Sequence, residues 1–191
     1  MKLVLASASP RRREILSTLG LSFDVLVSRI EERRADGESP ADYVRRLSRE
    51  KAQSVALARQ DACVLGADTV VVLEGDVLEK PRDVDDAYSM ILRLGGRAHE
   101  VLTGVSLVVP GTQTETRVVK TRVSFCAIDA ESALAYAKSG EGLDKAGAYA
   151  VQGLGAGFVE RIEGSYTNVV GLPASDVVQM LRAAGVLKVW P

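Results

Sequence analysis

Residues 3–13 read Leu-Val-Leu-Ala-Ser-Ala-Ser-Pro-Arg-Arg-Arg, an apolar run that ends in serines, a proline and three arginines. Ser9 suits a helix N-cap and Pro10 the first helical turn. Arg11, Arg12 and Arg13 then fall on a helix end that already carries partial positive charge and ordinarily takes acidic residues. Cations stacked there cost stability until an anion arrives. Backbone N–H groups, hydroxyls such as Ser7, and guanidiniums gathered at one point make a phosphate site. The alternative is a solvated basic first turn.

Asp68 is next in importance. It interrupts the apolar run Cys63-Val-Leu-Gly-Ala-Asp-Thr-Val-Val-Val-Leu73. A carboxylate in such a run is expensive unless it is paired, hydrogen-bonded or bound to a metal. It reads as a metal ligand or a general base at a strand's polar end. A structural aspartate capping a neighbouring backbone is the other reading. Glu31 and Glu32, beside Arg33 and Arg34, fit a solvated loop. Beside a phosphate site, one of them is the second carboxylate that Mg²⁺ would use. Lys51 falls on the apolar stripe Val44, Leu47, Val55, Ala58 of a helical segment. It either snorkels to an edge or projects into a polar cleft. Lys80-Pro81 offers a lysine held forward by a rigid loop, or a plain surface turn. Residues 142–153 read Gly-Leu-Asp-Lys-Ala-Gly-Ala-Tyr-Ala-Val-Gln-Gly. These small residues permit close backbone approach, and the Gln152 amide could read a base edge.

These side chains need elements to carry them. Strands are expected at Lys2–Ala6, Phe23–Val27, Ala62–Leu73, Val77–Leu78, His99–Val109, Arg117–Ile128 and Gly157–Ile162. Helices are expected at Pro10–Gly20, with Ile15, Leu16 and Leu19 inward, and from Ser39-Pro40 to about Arg59. Further helices are expected at Asp83–Leu94, Ala130–Ser139 and Pro173–Ala184. Residues 140–171 are glycine-dense and read as irregular around their one strand. The unbroken apolar character of 62–73 marks a strand buried on both faces. Strands alternating with helices, then a strand pair, predict a mixed α/β sheet with a cleft between two lobes of one domain.

The bulk properties exclude more than they select. The chain has 191 residues, 24 Lys and Arg against 25 Asp and Glu, and a net charge of −1, so no global field draws it to nucleic acid or anionic lipid. His99 is the only histidine, which excludes any site that needs two. Cys63 and Cys126 sit in strand-like runs and are expected as reduced core thiols. No signal segment and no membrane-spanning run is seen, so a cytoplasmic protein without membrane partners is expected. A homodimer is left open.

Together these segments resemble the Maf family of nucleoside triphosphate pyrophosphatases. The resemblance is carried by residues 5–12 (Leu-Ala-Ser-Ala-Ser-Pro-Arg-Arg), 66–71 (Gly-Ala-Asp-Thr-Val-Val), Lys80-Pro81 and 99–105 (His-Glu-Val-Leu-Thr-Gly-Val). It continues through 144–149 (Asp-Lys-Ala-Gly-Ala-Tyr), Gln152-Gly153, 163–166 (Glu-Gly-Ser-Tyr) and 168–173 (Asn-Val-Val-Gly-Leu-Pro). It implies an α/β fold with a mixed, strongly bent sheet flanked by helices around a central cleft, related to that of inosine-triphosphate pyrophosphatases. It implies the reaction NTP + H₂O → NMP + pyrophosphate, dependent on a divalent metal, with dTTP and UTP preferred. In that branch the specificity positions fall on Arg12, Thr69 and Gln152, and the catalytic aspartate on Asp68. Where the family usually has glycine before Lys80-Pro81, this chain has Glu79.

The chemistry expected from both lines of reasoning places Mg²⁺ or Mn²⁺ between Asp68, Glu32 and triphosphate oxygens. Ser7, Arg11, Lys51 and Lys80 hold phosphates, and water attacks the α-phosphorus. Asp68 serves either as base or as metal ligand. The competing expectations are a 7-methyl-GTP or other modified-nucleotide pyrophosphatase and a non-catalytic nucleotide-binding regulator.

Overall fold

The computed structural model describes residues 1–189. Strand β1 (Lys2–Leu5) is buried from Leu3 onward and lies parallel to β2 (Phe23–Val25) and to β3 (Ala62–Leu73). Between β1 and β2 runs α1 (Pro10–Thr18), and between β2 and β3 runs α2 (Pro40–Ala56). Both helices start as their sequences require. Ser9 and Ser39 cap them by accepting from the N–H groups of Arg12 and Asp42, and a proline opens the first turn of each.

After β3 the chain forms β4 (Asp76–Leu78), α3 (Val84–Leu94), β5 (Ala98–Val108), β6 (Glu115–Phe125) and α4 (Ala130–Ser139). Two short 3-10 turns, Ala146–Ala148 and Leu154–Phe158, lead to β7 (Val159–Glu163), α5 (Tyr166–Val170) and α6 (Ala174–Ala183). The seven-stranded sheet has the order β2-β1-β3-β5-β6-β7, with β4 beside β3. Its pairings are mixed: β1 is parallel to both neighbours, whereas β3–β4 and β6–β7 are antiparallel. The expected mixed α/β sheet flanked by helices is therefore present.

The chain divides into two compact units. The first comprises Met1–Asp68, Thr103–Val119 and residues 171–189, and the second comprises Thr69–Leu102 and Lys120–Val170. In the first, Val4, Ala6, Ala52, Val55, Ala62 and Val64 form one aliphatic cluster beneath α2. In the second, a cluster of rings sits within an otherwise aliphatic interior. Phe125 meets the rings of His99 and Tyr149 edge-on at centroid distances of 4.9 and 4.8 Å.

Several expectations are corrected. Cys126 is exposed, whereas Cys63 is buried. β6 ends at Phe125, and strand alternation turns Phe125 inward and the next residue outward. Leu19 is only half-buried, and Ala58 is exposed beyond the end of α2. Residues 166–170, expected to be irregular, form α5. One turn is too short to show a period in sequence. It is held instead by buried Asn168, whose amide donates to the Val101 carbonyl and the Thr121 hydroxyl, each at 3.0 Å.

Candidate active site

Helix α2 and strand β3 bring a lysine and an aspartate together. Gly66, two residues before Asp68, has no side chain, and the helix lies against it. A Cβ there would sit 2.4 Å from the Ser48 carbonyl oxygen and 2.7 Å from the Ala52 nitrogen. Gly104 on β5 is under the same constraint, since its Cβ would meet the Val44 carbonyl oxygen at 2.1 Å. The helix can therefore approach the sheet closely, and Lys51 follows β3 toward its carboxylate. Lys51 Nζ donates to Asp68 Oδ1 at 2.7 Å and pairs with Glu32 Oε1 at 2.9 Å. Lys51 is 6 % exposed and Asp68 7 %, so the pair is largely removed from water. Of the two sequence readings of Lys51, snorkelling to an edge is the one that fails.

Arg12 is fixed just as firmly. Its Nε donates to the Gly171 carbonyl at 2.8 Å, and its Nη1 donates to the Ala67 carbonyl at 2.8 Å and to Ser7 Oγ at 3.1 Å. Burial pushes the guanidinium below its ordinary pKa, and the negative charges of Asp68 and Glu32 oppose that shift. Ser7 Oγ also accepts from the Ser9 N–H at 3.2 Å. With two donors on its oxygen, the Ser7 hydroxyl has its own proton to offer an anion. Arg11 is half-buried in the same first turn. That turn contains no acidic residue, whereas α2, α3, α4 and α6 each carry at least one.

Glu32 lies on a loop that α2 grips at several points. Tyr43 Oη donates to the Glu32 carbonyl at 3.4 Å, and Arg46 Nη2 donates to the Arg33 carbonyl at 2.9 Å. Arg46 also binds both oxygens of Glu38, at 2.7 and 2.8 Å. That bond holds the Glu38 carboxyl down at about 2. Sequence reasoning missed Arg46 and Glu38. The only signal was an alternation of charges in 31–38, which reads equally well as a solvated loop.

The first unit thus holds two bonded sets, Ser7 with Arg12 and Lys51 with Asp68 and Glu32, linked where Arg12 donates to the carbonyl of Ala67, the neighbour of Asp68, with Arg11 in the same helical turn as Arg12. The second unit holds Thr69, Lys80 and Gln152. Thr69 is half-exposed, and Lys80 and Gln152 are exposed. The segment carrying Lys80 is tied to the glycine-rich stretch, because Gly147 N–H donates to the Glu79 carbonyl at 3.1 Å. Gln152 stands between the two 3-10 turns. Among the described residues no group of three or more His, Cys, Asp or Glu side chains is placed to hold a metal.

Residues 2–184 match the family described as Maf-like protein. A dTTP/UTP pyrophosphatase of Vibrio cholerae is 54% identical over 182 residues, covering 95% of this chain and 97% of that one. A dTTP/UTP pyrophosphatase of Myxococcus xanthus is 51% identical over 188 residues, covering 98% and 95%. Among solved structures, a nucleoside-triphosphatase / dITP/XTP pyrophosphatase from Mycobacterium abscessus aligns over 98% of each chain with a TM-score of 0.47 and 14% identity.

Proposed function

The chain belongs to the Maf-like family, and we propose that it hydrolyses dTTP and UTP to the monophosphate and pyrophosphate. Relatives with that activity in their names share about half of its residues over nearly the full length. The observation that carries the reading is the buried Lys51 ammonium held between Asp68 and Glu32. Taking such charges out of water costs several kcal/mol per ion, and hydrophobic replacement is often neutral or stabilising. Asp68 lies in the middle of β3 rather than at the polar end expected from sequence, and a buried lysine–aspartate pair kept at that cost inside an apolar strand–helix layer points to chemistry.

In this reading Ser7, Arg11, Lys51 and the first-turn N–H groups of α1 bind the phosphates, and Lys80 binds another phosphate oxygen. Asp68 accepts a proton from the water that attacks the α-phosphorus, with Lys51 orienting its carboxylate through Oδ1. Pyrophosphate leaves as the α–β anhydride bond breaks. In this reading the cations would offset the negative charge that develops on the leaving oxygens, the role in which preorganised charge accelerates a reaction most. Arg12, Thr69 and Gln152 are assigned to the base. The Gln152 carbonyl accepts from the N3–H of uracil or thymine while its NH₂ donates to a ring carbonyl.

Asp68 and Glu32 also suit a divalent cation. Oxygens of both carboxylates already converge on one positive centre, at 2.7 and 2.9 Å from the Lys51 nitrogen. One or two carboxylates, completed by phosphate oxygens and water, is the set that Mg²⁺ takes. When bound, Mg²⁺ or Mn²⁺ would supply Lewis-acid polarisation of the phosphates. The nucleotide pool then sets the place of work, and we assign the protein to the cytoplasm. No described helix is long and apolar enough to cross a membrane.

A panel of nucleoside triphosphates with Mg²⁺ or Mn²⁺, read by release of pyrophosphate and monophosphate, tests the proposal. UTP and dTTP should give the highest kcat/KM, with the two products in equal amounts. Orthophosphate as the first product, or a preference for 7-methyl-GTP, would overturn it.

A further inference from the structure

Gln152 is exposed, and so are Gly153 and Leu154 after it. An exposed loop of small residues needs little fixing for the sake of stability. This one is fixed from both ends through a single carboxylate. On one side, the Ala150 N–H donates to Tyr136 Oη at 3.1 Å, and Tyr136 donates in turn to Glu141 Oε2 at 2.7 Å. On the other side, Glu141 accepts from the Leu154 N–H at 2.8 Å and from the Gly155 N–H at 3.0 Å. Gln152 sits midway between the held residues 150 and 154.

The glycines between them are built for this contact. A Cβ on Gly153 would lie 1.9 Å from Glu141 Oε1, and a Cβ on Gly155 would lie 2.8 Å from Tyr136 Oη. Only without those side chains can the carboxylate reach both amides. The clamp has a firm base, because Tyr136 belongs to α4, is buried, and packs edge-on against Phe158 at 5.1 Å. Burial pushes the Glu141 carboxyl up. The bonds from Gly155, Tyr136 and Leu154 and the charge of Lys145 outweigh it and leave the group below its ordinary value. The clamp is therefore an ionised acceptor with three donors directed at it.

We propose that Glu141, acting with Tyr136, is a positioning residue that sets base specificity by holding residues 150–155 in one conformation around Gln152. The inference rests on the reading of Gln152 as the base-recognising residue. A glutamine amide pairs with uracil or thymine in one orientation and with cytosine when flipped. On a loop free to twist, the same side chain would serve both bases. A clamp rooted in α4 removes that freedom, so discrimination between UTP and CTP depends on a residue that need not touch the base.

The test compares kcat/KM for UTP and CTP in the wild-type protein and in Glu141→Gln, Tyr136→Phe and Gln152→Ala, together with amide hydrogen exchange of residues 150–155. In Glu141→Gln an NH₂ group replaces one acceptor and faces a backbone donor. The UTP:CTP ratio should fall about tenfold, the worth of one ordinary hydrogen bond, and exchange in the loop should speed up. Tyr136→Phe removes a single hydroxyl and should shift both readouts in the same direction by less, which keeps the test alive if Glu141→Gln folds poorly. Faster exchange with an unchanged ratio would overturn the inference, and so would unchanged exchange. Gln152→Ala separates the two layers. If it alters the ratio and the clamp variants do not, only the inference fails. If it leaves the ratio unchanged, Gln152 does not read the base and both fail.

Discussion

The acidic and basic groups of the first unit and the glutamine loop of the second are both held rigidly, but by opposite means. In the first, charged side chains fix one another: Lys51 binds Asp68 and Glu32. In the second, one carboxylate fixes backbone N–H groups, and the exposed Gln152 side chain is carried along. The difference suits the two tasks. A phosphate is common to every nucleotide and calls for strong, invariant charge. A base differs by one hydrogen-bond donor or acceptor and calls for a neutral group held at one angle.

The sharpest way to break this division is at Asp68. Asp68→Asn keeps the shape and removes the charge, and kcat/KM for UTP should fall by about a thousandfold, within the usual range for losing a general acid–base group. Circular dichroism should show an intact fold. Near-wild-type turnover would remove Asp68 from the chemistry.

A second contrast is electrostatic. The interior of the second unit is neutral, and its histidine is kept so. His99 Nε2 shares a hydrogen bond with Tyr149 Oη at 2.8 Å, and burial lowers its pKa from 6.5 to about 4. The unfolded chain takes up that proton first. Stability should therefore be unaffected by His99 above pH 6.5 and should decline as pH falls from there toward 4. The loss should reach roughly 3 kcal/mol at the lower end. Urea unfolding at pH 7 and pH 5 measures it, with His99→Gln expected to flatten the dependence.

Smaller effects should come from the phosphate groups. Arg11→Ala and Lys51→Ala should each lower kcat/KM by about ten- to a hundredfold, the range for a charged hydrogen bond. The factor should be similar for all accepted triphosphates. A change of base preference in either variant would erase the distinction between the two regions.

The two regions also differ in how far they could be read from sequence. Asp68 stood out because a carboxylate interrupts an apolar run, and Lys51 because a lysine falls on an apolar helical stripe. Both signals are violations of a local pattern, and patterns are what sequence displays. Two partners of Arg12 are the carbonyls of Ala67 and Gly171, far away in the chain, so its basic turn was visible but its burial was not. Arg46 and Glu38 looked like ordinary surface charges. Glu141 gave no signal at all, because its partners are a tyrosine hydroxyl and backbone N–H groups that any residue could supply. The fold followed the same rule. The long buried β3 was fully legible, while the one-turn α5 and the outward Cys126 depended on where a strand ended and on bonds across the second unit.

The division of labour is tested most directly by one comparison, the ratio of kcat/KM for UTP to that for 7-methyl-GTP in the wild-type protein, Lys51→Ala and Gln152→Glu. Lys51→Ala should lower both values and leave the ratio where it was. Gln152→Glu removes the NH₂ donor that uracil uses and offers two acceptors to the adjacent donors of the guanine edge. The ratio should therefore swing toward 7-methyl-GTP, with any remaining activity still releasing pyrophosphate. A ratio unchanged in Gln152→Glu, or shifted as much in Lys51→Ala, would contradict the account.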